Sequence, residues 1–363
     1  MIRSGFQILA TSLVLALPGW ADTIHLVDGD PIEDVTIEEE TITSVTYKRG
    51  SSLDSVPSER VSHVTFERLP DELDEGESYV QEGDLAGGLD AMREYLDPIM
   101  EGGRARKAWA PPYAAKRVID LSRSIGDLDS VKEVASWLIK EHSESRYVPE
   151  AYIAKADAQA RTGSADAANK TLQDFRQIVT DRGLSARWRL ECDLALILTD
   201  PTLKGDSRRS KLKEIETGAG EFPGVQNRAR LDRAESLVLD ATSSNSDRAK
   251  LLAEARGIFQ ELADDDYTSD EVRAGAYTGL GDCTFFTPGA DKDAFKEAGM
   301  SYMRVAVLYR EQSRYVAKAM FYAGRCFDQR GDLDNKGKAR RLYRTVMVEF
   351  PSSNWAKEAK NFM

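Results

Sequence analysis

The sequence predicts a mainly α protein: an α-solenoid of stacked helix pairs, preceded by a small antiparallel β domain. Three observations lead there. Short β-rich runs end near residue 68, and helical periodicity continues from there to the C-terminus. A glycine followed by a capping residue recurs as punctuation, at Gly83-Asp84, Gly126-Asp127, Gly163-Ser164 and Gly331-Asp332. Finally, one apolar pattern returns at a period of about 42 residues, the mark of a repeat array.

Residues 1–21 are set apart from the fold. Arg3 supplies a positive start, Phe6 to Leu17 an apolar core, and Pro18-Gly19-Trp20-Ala21 a small-residue exit. The apolar run is too short to span a bilayer, and its flanks are those of a secretory signal cut after Ala21. The mature chain is then expected to be periplasmic or secreted, with no transmembrane segment.

Residues 22–68 carry the β domain. Thr23 to Val27 precedes the turn Asp28-Gly29-Asp30-Pro31; Val35, Ile37, Ile42, Val45 and Tyr47 continue in short runs, and Val61 to Phe66 closes the series. Four or five antiparallel strands fit, as an SH3-like or open barrel or as a sheet that leans on the helices.

Residues 69–351 carry the repeats. Glycine suits a left-handed helix end, and Asp or Ser caps the next helix. Helix pairs are expected at about 72–101, 107–141, 146–181, 184–219, 225–263, 269–311 and 313–350. The clearest copy reads Met320-x2-Ala323-Gly324-x2-Phe327, Ala339-x3-Tyr343, Pro351. It lines up with Tyr277-x2-Leu280-Gly281 and Ala298-x3-Tyr302 one period earlier. Ser145-Arg146-Tyr147-Val148 with Ala151 returns four periods later as Ser313-Arg314-Tyr315-Val316 with Ala319. Small residues in this pattern let two helices approach while the large ones fill the gap. Residues 352–363 read as a capping helix, which terminal repeats need.

These motifs resemble the tetratricopeptide-repeat family, specifically in the last two pairs and by spacing elsewhere over about 70–363. With its export signal, the chain is similar to exported repeat proteins of bacterial envelopes. The resemblance implies a right-handed superhelix and a non-enzymatic scaffold that holds a partner protein or peptide on its concave face. The lipid-bearing Cys of the lipoprotein relatives is absent here.

Chemistry is sparse. A net charge of −12 disfavours nucleic acid, which needs a basic face. Gly331-x5-Gly337-Lys338-Ala339 fails every requirement of a phosphate loop, and Asp332-x-Asp334-x-Lys336-Gly337 puts lysine at a calcium-ligand position. No metal, cofactor or catalytic residue is assigned. His25 and His63 could meet across strands as a tuned pair, or be solvated. Cys283 and Cys326 occupy equivalent repeat positions as buried packing residues, and a bridge between them is a second option. The leads for partner binding are aromatic: Trp109, Tyr113, Tyr147, Tyr152 and Tyr315, with Tyr277, Tyr302 and Tyr322 behind them. Core packing is the other use for each. A glycan- or peptidoglycan-binding β module is the alternative function, and an enzyme built around the two histidines a further one.

Overall fold

The computed structural model describes residues 21–27, 29–243, 247–351 and 353–363. The expected signal, apart from Ala21, lies outside them. The chain divides into two units between Leu69 and Pro70.

The first unit is a five-stranded antiparallel sheet made of β1 (Asp22–Leu26), β2 (Ile32–Glu40), β3 (Ser44–Arg49), β4 (Ser52–Pro57) and β5 (Val61–Thr65), in the order β4-β3-β2-β1-β5. Strands β4 and β5 are its edges, so among the described residues the sheet is open. Ile24, Val35, Val45 and Val61 are buried, while Glu38, Lys48 and Asp54 point out to water. Asp22 ties the first strand down: its two carboxylate oxygens accept from the backbone N–H groups of Ile37 and Glu67, each at 2.8 Å.

The second unit is helical. Seven helix pairs follow one another: α1 (Asp71–Gln81) with α2 (Leu85–Met100), α3 (Ala110–Ile125) with α4 (Leu128–Glu141), α5 (Val148–Arg161) with α6 (Ala165–Asp181), and α7 (Ala186–Thr199) with α8 (Gly205–Gly218). They continue as α9 (Pro223–Ser243) with α10 (Arg248–Asp264), α11 (Asp270–Phe285) with α12 (Lys292–Leu308), and α13 (Ser313–Arg330) with α14 (Leu333–Glu349). A short α15 (Asn354–Ala359) ends the array. Each helix packs on the next in sequence, and each expected pair is present.

The punctuation works as its chemistry demands. Gly83, Gly126, Gly163 and Gly331 all have φ between 80° and 85°. Asp84, Asp127 and Asp332 each accept a backbone N–H in the first turn of the helix that follows. Ser164 departs from the reading: its side chain makes no capping hydrogen bond. The acidic string after Gly331 is thus used locally, Asp332 as a cap and Asp334 as the partner of Lys338.

The repeat motif is a packing device. A Cβ on Gly281 would lie 2.6 Å from the Tyr302 ring, and one on Gly324 would lie 2.6 Å from the Tyr343 ring. Both tyrosines are fully buried. The first pair does the same with residues the motif does not name, Gly76 sitting against Met92 and Gly88 against Val80. The end cap is more apolar than a solvating helix would be. Trp355 packs on Phe321 and Tyr322 with ring centroids 5.4 and 5.5 Å apart, and Phe362 packs on Phe321 and Tyr343.

Cys192, Cys283 and Cys326 are free and buried, so the bridge option for the last two is not taken. Burial pushes all three thiols up to about 12. The thiolate is the reactive form, so a thiol reagent such as dithionitrobenzoate is expected to label none of the three in the native protein and all three in urea.

Candidate functional site

The array closes on itself. Helix α3 packs against α13, five pairs further on, and the Ser124 hydroxyl donates to the Glu311 carbonyl across the seam at 3.5 Å. Each of α3, α5, α7, α9, α11 and α13 touches the next, so the first helices of successive pairs form a ring. A cavity of about 1020 Å³ lies inside it.

The wall of this cavity is mostly charged. It includes eight cations and six carboxylates, contributed by α3, α5, α7, α9, α11, α13, the turn before α13 and α15. Many of these charges bridge neighbouring first helices. Lys116 of α3 binds Glu150 of α5 at 3.2 Å and Asp120 on its own helix at 2.5 Å. Arg228 of α9 binds Glu191 of α7 at 2.8 Å, and Arg314 of α13 lies 3.7 and 3.6 Å from Asp232 and Glu235 of α9. Burial works against the Glu271 carboxylate, but Arg228, Arg123 and Arg314 together hold it below the usual carboxylate range. These three arginines come from three different helices. Burial likewise opposes Glu150, which Lys116, Arg146 and Arg187 keep low.

Three cations stand outside this pairing: Arg123, Arg187 and the exposed Lys357 of α15. Arg123 and Arg187 make no hydrogen bond or ion pair with another side chain among the described residues; Arg187 rests its guanidinium 4.9 Å from the Trp188 ring. Lining residues Glu150, Arg187, Glu271 and Arg314 all fall in the first turn of their helices, where the backbone adds positive potential.

Asp232, behind Arg314, is the one lining neighbour whose charge is unstable. Burial raises it to about 6, Arg314 opposes that, Glu235 adds to it, and Arg228 and Arg208 oppose it further. An acid raised on folding contributes stability that is complete below its unfolded value near 4 and is lost as pH climbs through about 6. Asp232→Asn is therefore expected to flatten the fall in thermal stability between pH 5 and 7.5, by on the order of 1 kcal/mol. Melting curves at the two pH values check this.

The aromatic leads lie elsewhere. Tyr147 and Tyr315 are 7% and 4% exposed, and each carries the preceding arginine against its ring, Arg146 at 4.5 Å and Arg314 at 5.3 Å. Tyr113 is half-buried and donates to Glu77 at 2.6 Å, which also holds Arg117. Tyr152 stacks on Phe175, and Trp109 sits edge-on to Tyr113. None of the five lines the cavity. A helical aromatic stripe and a packing stripe have the same spacing, and here Tyr113 and Tyr152 meet side chains of neighbouring helices. Trp355, which the sequence marks only as part of the cap, does reach the cavity wall.

In the sheet, His25 and His63 are cross-strand partners with rings stacked 4.0 Å apart and 6° from parallel. His25 Nε2 is 3.0 Å from the Thr65 hydroxyl, and His63 Nδ1 is 3.3 Å from the Ser62 hydroxyl. No group of three or more metal-binding side chains is assembled among the described residues. No helix among them is long and apolar enough to cross a membrane.

No family model matches this chain, and no curated protein matches its sequence. Among solved structures it is similar to a tetratricopeptide repeat protein from Parabacteroides merdae, with 13% identity, 80% of this chain and 97% of that chain covered, and a TM-score of 0.41. It is also similar to the assembly chaperone of RpL4 (Acl4, residues 1–338), with 14% identity, coverage of 80% and 94%, and a TM-score of 0.25. The repeat character of the helical unit rests on its own packing: helix pairs in succession, with a glycine of the first helix under the tyrosine of the second in α11–α12 and α13–α14.

Proposed function

We propose that this chain is a non-enzymatic interaction scaffold that holds a segment of a partner protein inside the ring of first helices. The observation that carries the reading is the central cavity. Its volume lies at the top of the range of about 300–1,000 Å³ for small-ligand pockets, which leaves room for a short stretch of extended chain. Stacked repeats hold such a surface in place before binding, so little ordering entropy is lost on association.

A photo-crosslinking amino acid placed at Ile153 or Arg161, on the cavity wall, is expected to capture a partner segment identifiable by mass spectrometry. The same probe at Leu239 or Val348, exposed and absent from the cavity wall, is the control. Partner peptides recovered from the control positions alone would exclude the cavity as the binding site.

The reading includes export to the cell envelope. It is supported by the leader-like residues 1–21 and by β1 starting at Asp22, the residue after the expected cut. Sequencing the N-terminus of protein from its own cells is expected to return Asp22; an intact Met1 would overturn export by cleavage.

A further inference from the structure

We infer that the segment held in the ring is acidic, a stretch of partner chain whose carboxylates seat on Arg123 and Arg187. The inference rests on the reading that the cavity takes a partner segment, and it names the chemistry of that segment.

Four features converge on it. The whole chain carries a net charge of −12, yet the cavity wall itself has more cations than carboxylates, eight to six, with the carboxylates that pair Arg117 and Arg314 set behind it. A recessed site of opposite sign with low-dielectric walls focuses the field and draws in anions. Most of the wall carboxylates are already engaged: Asp120 and Glu150 by Lys116, Asp157 by Arg161, Glu191 by Arg228, while Glu271 lies under the combined field of three arginines. Among the described residues, Arg123 and Arg187 inside the ring, and the exposed Lys357, are left with their donors unused. The first turns of α5, α7, α11 and α13 contribute lining residues and add positive backbone potential.

The alternatives are worse in energy. A neutral segment would offer Arg123 and Arg187 carbonyl acceptors but no countercharge, and so weaker contacts in exchange for the lost water. A basic one would have to break the internal pairs to find carboxylates. An acidic segment completes what the ring leaves open, with bidentate guanidinium–carboxylate contacts.

The test is fluorescence anisotropy with the full chain and three labelled peptides of equal length, alternating Glu/Ser, Gln/Ser and Lys/Ser, with citrate as a small-anion competitor. The Glu/Ser peptide is expected to bind at least about tenfold more tightly than the other two, an advantage that shrinks as salt rises. Arg123→Gln and Arg187→Gln are each expected to weaken it about tenfold, the size of one charge-assisted hydrogen bond, with at most a small fall in melting temperature, because Glu271 and Glu150 each keep two other cations. Glu271→Gln is expected to tighten binding, the opposite sign, which a merely structural effect would not give. If the three peptides bind equally, or the arginine variants bind as the wild type does, the acidic class is wrong while the cavity reading stands. If citrate binds and no peptide does, the site takes a small anion and the inference falls. If neither peptide nor citrate binds, the cavity reading falls with it.

Discussion

Gly281→Ala is expected to lower stability by about 2 kcal/mol, although alanine is the better helix former by about 1 kcal/mol. The reason is steric. The added Cβ would lie 2.6, 2.7 and 2.8 Å from three carbons of the Tyr302 ring. That ring has nowhere to go: it is fully buried, its hydroxyl donates to Asp282 at 2.8 Å, and its face stacks on Tyr322 at 5.6 Å. Helix α12 would have to move away from α11, loosening the contact through which the last pairs are held to the ring. Gly324→Ala should behave alike, since its Cβ would meet Tyr343, whose hydroxyl is tied to Asp328. Gly257→Ala in α10 is the control of opposite sign. Nothing lies within 4 Å of the added carbon there, so a gain of about 0.5–1 kcal/mol is expected from helix propensity alone. Urea denaturation of the three variants separates the two outcomes; a Gly281→Ala protein as stable as the wild type would mean the helices are not packed this closely.

Asp282→Ala is expected to cost about 3 kcal/mol. Asp282 is 3% exposed and serves two donors, the Tyr302 hydroxyl on one oxygen and the Lys318 ammonium at 2.5 Å on the other. It therefore joins α11, α12 and α13 at one point. Removing it leaves a lysine and a phenol without their acceptor between packed helices, and the orphaned ammonium dominates the loss. Lys318→Met added to Asp282→Ala should recover a good part of the deficit, because it takes away the stranded charge. A double-mutant cycle measures that coupling, and strict additivity of the two changes would show that the pair does not interact.

The two variants bear on residues of different legibility. Gly281 and Tyr302 are motif positions, readable because close helix approach needs a small residue opposite a large one at a fixed spacing. The same logic placed the last two pairs; the others, those near 184–219 and 225–263 above all, were placed by helical spacing, and by the glycine turns at Gly83, Gly126, Gly163 and Gly331 where they occur. Asp282 carries no such mark. One acid among 61 is unremarkable until tertiary packing puts a tyrosine and a lysine against it. Tyr147 and Tyr315 show the reverse problem. Their spacing marks them as important, but periodicity does not distinguish a face turned to a ligand from a face turned to a neighbour. Gly76 and Gly88 in the first pair were passed over because they satisfy the packing rule without matching the motif.

By itself the sequence determined the local and pairwise levels: where strands give way to helices, about where each helix pair lies, and, in the last two pairs, which small residue lies under which aromatic. These depend on spacings within one or two repeats, and such spacings are written directly in the chain. Tertiary structure alone decided that the array closes, with α3 against α13, and that the charges of the first helices gather around one cavity. Closure is set by a small rotation at each pair added up over the array, and a few degrees per pair separate an open spiral from a ring. No single residue carries that sum, so Arg123 of α3 comes into the field of Glu271 of α11 only when the ring is complete.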